Sequence, residues 1–325
     1  MKIALDAMGG DHAPAEIVRG GIEYARATPG DAVLLVGIPD RVQPLLAQAP
    51  PNVKLVPCTQ VIEMGEHPGR ALKEKRDSSI VKCVGMCAQG AADAWVGAGN
   101  TGACVGASLF IMGHLPGVLK AGIATPLPMK GGECTVIDAG ANIAPKAQHL
   151  LQYALMGMLY AKVRGIANPR VGVLNIGEEE DKGTELVQQA RELLKKTDLN
   201  YIGFVEPNAL AAGAADVVVS DGFSGNILLK AFEGLGELLL NHLEGAVAVS
   251  KDEGFHAAVK SARQIGDFSS YGGAPLLGVK GVTMIAHGRS GALAIANALR
   301  RGSACAREKI VEKIAAEILK YPASA

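Results

Sequence analysis

Aromatic side chains are scarce in this 325-residue sequence, at 4% of positions with a single tryptophan. Few flat platforms are left on which bases could stack. Charge of one sign is missing too: thirty-two basic residues face thirty-two acidic ones, for a formal net charge of zero. No Lys/Arg block stands out that would follow a phosphate backbone, so nucleic acid is excluded as a partner. There is no disulfide framework. The six cysteines, at 58, 83, 87, 104, 134 and 305, lie mostly in apolar segments without paired spacing, and they read as reduced core residues of a cytoplasmic protein. Cys83 and Cys87 stand one helical turn apart, but no second Cys/His pair completes a zinc set. No basic stretch followed by an apolar run precedes the first strand, which Asp6 interrupts, so no secretory leader is expected. The amphipathic segment 227 to 243 carries Lys230, Glu233 and Glu237 and is excluded as a membrane span.

The sequence does have enough hydrophobic residues, 49%, for one large core or two modest ones. Short runs rich in Val, Ile and Ala predict strands at 2 to 6, 32 to 37, 92 to 97, 134 to 138, 170 to 176, 201 to 205, 215 to 219 and 282 to 287. Helical spacing falls between them, at 14 to 28, 78 to 90, 101 to 113, 147 to 164, 184 to 196 and 224 to 244. This alternation implies an α/β fold with a largely parallel sheet covered on both faces. No repeat or linker divides the chain, so one continuous α/β unit over 1 to 325 is expected, with 241 to 270 as a projecting helical excursion. One packing helix is expected from about Ser290 to Lys320.

The opening "KIALDAMGGDHAP" runs from a buried strand into Asp6, Gly9, Gly10, Asp11 and His12. Adjacent glycines lose the most chain entropy on folding, which points to a tight turn or a close approach by a ligand. A plain alternative is that Asp11 caps a helix beginning near Pro14. Four further strands end in the same way: "WVGAGNTGA" with Gly99, Asn100, Thr101 and Gly102; "VIDAGAN" with Asp138 and Asn142; "LNIGEEEDKGT" with Asp181 and Lys182; and "VVSDGFSGN" with Asp221, Ser224, Gly225 and Asn226. Ligands of open α/β sheets bind at that edge, where helix N-termini offer unpaired N–H groups to an anion. Five such loops predict a binding site, with His12 first and His287 of "IAHGRS" second among the histidines. The acids at 178 to 181 suit a loop near a helix N-terminus, but Lys182 opposes the helix dipole there, and an anionic ligand would offset that.

Several motif matches fail. Gly97, Gly99 and Gly102 form G-x-G-x-x-G, yet no Asp or Glu occurs from Ala103 to Gly132 to hold a ribose, so the loop suits a smaller anion with Asn100 and Thr101 as donors. "GGAPLLGVKG" has P-loop glycines but Val279 where lysine belongs. "GFSGN" lacks the closing glycine of a nucleophile elbow, which counts against Ser224 as nucleophile. Cys104 could carry a lowered pKa and form a thioester, but a small buried residue explains it better.

Together "DAMGGDHAP", "RALKEKRDSS", "GAGNTGA", "DAGAN", "EEEDKGTEL", "ADVVVSDGFSGN" and "YGGAPLLGVKG" resemble the phosphate acyltransferases of bacterial phospholipid synthesis, over residues 4 to about 290. The resemblance implies a three-layer α/β/α fold like that of isocitrate and isopropylmalate dehydrogenases, and a homodimer. It also implies conversion of acyl-[acyl-carrier protein] and inorganic phosphate into acyl phosphate. Lys182, Asn226 and Asn100 would then supply catalytic donors, and the remaining loop residues would bind substrate. Phosphate is itself the nucleophile, so no protein nucleophile is needed. The apolar segment 147 to 164, with few polar positions, suggests a face for the second subunit. Members of that family carry a longer, more basic excursion that touches the membrane. Here 241 to 270 is short and mixed in charge, so any peripheral membrane contact should be weak. No cofactor is expected, and no metal, because the acids sit singly on separate loops except at 178 to 181. Three rivals remain: a phosphotransacetylase-like enzyme using coenzyme A thioesters, a non-catalytic anion-binding scaffold at the membrane, and a nicotinamide dehydrogenase.

Overall fold

Short runs of β-branched and small apolar residues form, among the described residues, twelve strands, which fall into two sheets rather than one. The computed structural model describes residues 1–247, 250–266 and 271–322. Among these the strands are β1 (Lys2–Asp6), β2 (Ala32–Gly37), β3 (Val53–Pro57), β4 (Ala94–Gly97), β5 (Gly122–Ile123), β6 (Thr125–Met129), β7 (Gly132–Ile137), β8 (Val171–Leu174), β9 (Tyr201–Val205), β10 (Val217–Val219), β11 (Ala274–Leu277) and β12 (Val282–Ile285). The first sheet has the order β3-β2-β1-β4-β12-β11-β5 and the second β6-β7-β10-β8-β9. Pairing is parallel through β3, β2, β1, β4 and β12, and again through β7, β10, β8 and β9. Antiparallel partners occur only toward one edge of each sheet, at β11 and β6.

In the first sheet the chain steps outward from β1 to β2 and β3, then returns to the other side of β1 as β4. In the second it steps from β8 to β9 and returns as β10 between β7 and β8. Each reversal is a topological switch point, where the loops at the strands' carboxyl ends part and leave a crevice.

Helices form where spacing predicts them, including Ala15–Ala27, Ser79–Ala88, Ala147–Val163, Glu185–Leu194 and Gly222–Val247. A single apolar core runs through both sheets, with Trp95, Tyr153 and Tyr160 fully buried. Helix Ala147–Val163 packs on β7 and β10 on one side and on the helices Glu185–Leu194 and Ile310–Ile318 on others. Its apolar circumference is thus covered within the chain, and this helix supplies no free face for a second subunit. The expected C-terminal helix is two, Ala292–Arg307 and Ile310–Ile318, because Lys309 takes a left-handed conformation (φ 52°) between them. The break turns Ile310, Ile314 and Ile318 into the core. Of the excursion, Glu253–Gly266 is a helix folded against Gly222–Val247, with Arg263 paired to Glu244; positions 248, 249 and 267–270 lie outside the described residues. Among the described residues no helix is long and apolar enough to cross a membrane.

A buried carboxylate ties the two ends of the first sheet's cover together. Asp31 accepts hydrogen bonds from the terminal ammonium of Met1 (2.7 Å), Ser303 Oγ (2.8 Å), the Tyr24 hydroxyl and the Arg307 guanidinium. Burial alone would raise this carboxyl, but these donors hold it well below the usual aspartate value. A depressed folded pKa means the stabilisation is present above about pH 4 and is lost as pH falls through the folded value. Asp31→Asn should therefore weaken the fold by about 3 kcal/mol at pH 7 and by clearly less at pH 2.5. Urea unfolding at the two pH values checks this, and an equal loss at both would refute it.

Candidate active site

At the first switch point the loops after β1 and β4 meet back to back. Asp6, at the end of β1, is fully buried; its Oδ1 accepts from the Met8 amide (3.0 Å) while its Oδ2 lacks a hydrogen-bond partner. Burial raises its pKa, against the opposing influence of Ser79 and the amides of Met8 and Gly9. The Ser78 and Ser79 hydroxyls are likewise buried and without partners of sound hydrogen-bond geometry. Gly9 explains why the loop needs glycine: a Cβ there would stand 2.5 Å from Asp6 Oδ2 and 2.6 Å from the Gly99 nitrogen. The close approach is between two backbones and a carboxylate, and Asp11 does not cap the following helix, whose start carries no side-chain cap. Instead the Asp11 amide donates to the Gly288 carbonyl (2.8 Å), drawing in the loop after β12 that carries His287. His12 and Asp11 are exposed at the rim.

Asn100, expected as a catalytic donor, is committed to structure. Its Oδ1 accepts from the Ala103 amide (3.0 Å), and its Nδ2 faces the carbonyls of Glu63 (3.3 Å), Met64 (3.1 Å) and Glu66 (2.9 Å). It caps the helix Thr101–Ala107 and clamps the 63–66 segment over it, so its role is to position the loop. Thr101 and Gly102 are exposed at the start of that helix. Asn100→Ala should lower stability by about 2 kcal/mol, from a lost cap and unpaired carbonyls. Urea unfolding measures it, and unchanged stability would count against the clamp.

In the second sheet Asp138, directly after β7 and beside β10, plays the corresponding part. Its buried carboxylate accepts from the amides of Ile123 (2.9 Å), Gly140 (3.3 Å), Ala141 (3.1 Å) and Asn142 (2.6 Å), while burial raises its pKa against those four bonds. Asn142 donates to the Ala121 carbonyl (2.6 Å) and lies 2.8 Å from the Tyr153 hydroxyl. This loop is wrapped over the start of helix Gly222–Val247, where Gly222 donates to the Asn142 carbonyl (2.8 Å) and Gly225 lies under Asp138. Asp221 caps the helix through the amides of Phe223 (3.0 Å) and Ser224 (2.9 Å). Asn226 is exposed beside Gly140, and among the described residues its side chain has no hydrogen-bond partner.

Lys182 and Asp181 sit in a third loop, after β8. Asn175 organises it by donating to the carbonyls of Gly177 (3.0 Å) and Lys182 (3.2 Å). Lys182 is about half exposed and pairs with Glu179 at 2.6 Å, a contact that raises its pKa and leaves it fully charged. Glu179 thereby offsets the unfavourable helix dipole without any ligand, in a pair so exposed that it adds little stability.

Helix Gly222–Val247 joins the two groups of loops. It starts at Asp221 in the second sheet and carries Lys230, Glu233 and Glu237 past His287 and Arg289 of the first, with Glu237 3.9 Å from Arg289. Desolvation lowers the His287 pKa; Glu233 and Asp11 oppose the shift, and Lys230 and Arg289 reinforce it. Its Nδ1 accepts from the Arg289 amide (3.2 Å), which suits a neutral ring. The structure thus assembles Asp6, Gly9, Gly10, Gly99, Asp11 and His287 in one group, and Asp138, Asn142, Asp221, Ser224, Gly225 and Asn226 in another. Lys182 stands on the neighbouring strand's loop. Sequence reasoning missed Asn175, Ser78 and Ser79, although the asparagine directly after β8 and the paired serines of "RDSS" were legible. Cys104 is buried, and burial pushes its thiol far up, as suits a small core residue. His149 Nδ1 accepts from the Lys146 amide (2.7 Å) at a helix start, a structural role.

Two largely parallel sheets bring glycine- and asparagine-bearing loops together at the carboxyl ends of their strands, the usual ligand edge of an open α/β fold. The fold matches a phosphotransacetylase from Streptococcus pyogenes (TM-score 0.65, 21% identity, 95% of this chain and 94% of that one). It also matches a 4-hydroxythreonine-4-phosphate dehydrogenase from Klebsiella pneumoniae (TM-score 0.58, 15% identity, 94% and 99%). The chain belongs to the fatty acid synthesis protein family, whose model matches residues 1–313. A phosphate acyltransferase from Desulfitobacterium hafniense (strain DSM 10664 / DCB-2) is 44% identical to it over 333 residues, covering 100% of this chain and 99% of the relative.

Proposed function

We propose that this enzyme is an acyltransferase that converts acyl-[acyl-carrier protein] and inorganic phosphate into acyl phosphate for phospholipid synthesis. The observation that carries the reading is the full-length likeness to a phosphate acyltransferase. The two loop groups at the switch points add physical support. A phosphate oxygen attacks the thioester carbonyl carbon, a C–O bond forms, the C–S bond breaks, and the carrier thiolate leaves and takes up a proton. The backbone amides of the 99–102 loop, at the start of a helix, hold phosphate, whereas those of 138–142 and 222–225 are already bonded within the fold, so Asp138 and Asp221, like Asp6, act by shaping the loops around the site. Lys182 and Asn226 stabilise the oxyanion, which develops in the transition state and gains most from donors already in place.

The chain works as one continuous catalytic unit in the cytoplasm, as a homodimer, with the 241–270 excursion giving at most weak peripheral membrane contact. Exposed Leu235, Leu238 and Leu239 on helix Gly222–Val247 support an association surface there. Incubation with acyl-carrier-protein thioester and labelled phosphate should release free thiol and labelled acyl phosphate in equal amounts. Thiol release without labelled product would overturn the reading. The reaction needs no metal or other cofactor, so excess EDTA should leave turnover unchanged; loss of activity restored by magnesium would refute that part.

A further inference from the structure

We infer that the acyl chain of the substrate lies in a groove along the helix leading away from Asn100, an assignment that rests on the acyl-transfer reading above. The groove has a volume of about 770 Å³ and an apolar wall of Leu72, Val81, Ala107, Phe110 and Ile111. That volume falls within the range of about 300–1,000 Å³ usual for small-molecule sites. A second hollow of about 570 Å³ shares Val81 and Ile111 with it and continues to Met86. The cavity is therefore elongated.

Its near end belongs to the site. Asn100 clamps the carbonyl of Glu66, and the next residues, His67 and Pro68, begin the helix Pro68–Glu74 that forms one wall. Gly102 lets this wall close onto the helix after the glycine loop, since a Cβ there would be 2.5 Å from Pro68 Cγ. On the helix after the glycine loop the wall covers Ala107 to Ile111, and the two adjoining hollows, of about 770 and 570 Å³, hold far more than an acetyl group would fill and suit a long acyl chain. Phe110 is 81% exposed and Ile111 38%. Large apolar side chains held in water around a concavity mark a surface that is covered in use.

Charge narrows the occupant. Lys73 and Arg76 stand at the mouth, and among the described residues neither has an ion-pair partner, whereas the neighbouring Arg70 is paired with Glu74 at 2.8 Å. An apolar floor under an uncompensated cationic rim complements an aliphatic chain attached to an anion.

The test uses Phe110→Asp, which replaces an exposed side chain and leaves the core intact, and Val81→Trp, which fills the groove. The ratio of kcat/KM for hexadecanoyl- over butanoyl-carrier protein should fall at least tenfold in each variant. Binding of the fluorescent fatty acid cis-parinaric acid should weaken in parallel, and this readout does not depend on turnover. If no thioester is turned over but parinaric acid still binds and both variants weaken it, the reaction assigned above fails and the groove stands. A ratio and a parinaric affinity both within twofold of wild type would overturn the groove. So would sedimentation showing that Phe110→Asp turns a dimer into monomers while the ratio stays unchanged, which would assign the groove to a second copy of the chain.

Discussion

Lys182→Ala and Asn226→Ala should each lower turnover about a hundredfold, the effect of losing one positioned donor worth roughly 3 kcal/mol of barrier. Neither change should disturb the fold. Among the described residues the exposed Lys182 ammonium pairs with Glu179 on the same loop, and Asn226 projects beside Gly140 without a hydrogen bond. Surface changes of that kind stay within about 0.5 kcal/mol, so the melting temperature should scarcely move. Raising phosphate should not rescue Lys182→Ala fully, because the lost interaction acts on charge that develops only in the transition state. Steady-state kinetics at saturating substrate, with circular dichroism on the same samples, separate the two effects. Near-normal turnover in either variant, or loss through unfolding alone, would remove that residue from the chemistry.

Gly225→Ala should do the opposite, breaking the fold of the second switch point and activity with it. A Cβ at Gly225 would stand 2.1 Å from the Asp138 carbonyl oxygen. That atom belongs to the buried Asp138, whose carboxylate is held by four amides, three of them in its own loop. It cannot yield as a flexible side chain would, so the helix start must move. Overpacking of this sort costs about 3 kcal/mol, and it falls where Asp221, Asn142 and Asn226 are aligned. Urea unfolding should show the loss, and turnover should fall in the fraction that remains folded. An alanine variant with wild-type stability would mean that the loop and helix approach less closely in solution.

Much of this architecture was legible in advance. Eight strands and six helices fall where periodicity predicts them, because buried parallel strands and amphipathic helices must carry their apolar residues at fixed spacing. Two of the strands that were missed have separate reasons. β6 reads "TPLPM", and two prolines argue against a central strand but are tolerated on an edge. β3, "VKLVP", is only half-buried, so it lacks a full apolar run. The split into two sheets was not legible, since local pattern identifies a strand but not its neighbours.

The site divides in the same way. Residue types and loop positions were determined by the sequence: glycine, aspartate and asparagine after strands, at the edge where the loops gather. Tertiary structure alone decided what each polar group does. Asn100 and Lys182 look alike as loop donors along the chain, yet Asn100 is used up on the carbonyls of residues 63, 64 and 66, more than thirty positions away, whereas Lys182 keeps an exposed ammonium. Asp6, Asp138 and Asp221 likewise become supports for backbone. A hydrogen-bonding side chain has a small, fixed number of donors and acceptors. Whether they are left for a ligand depends on which distant carbonyls and amides the fold brings within 3 Å, and that information is in no local stretch of sequence.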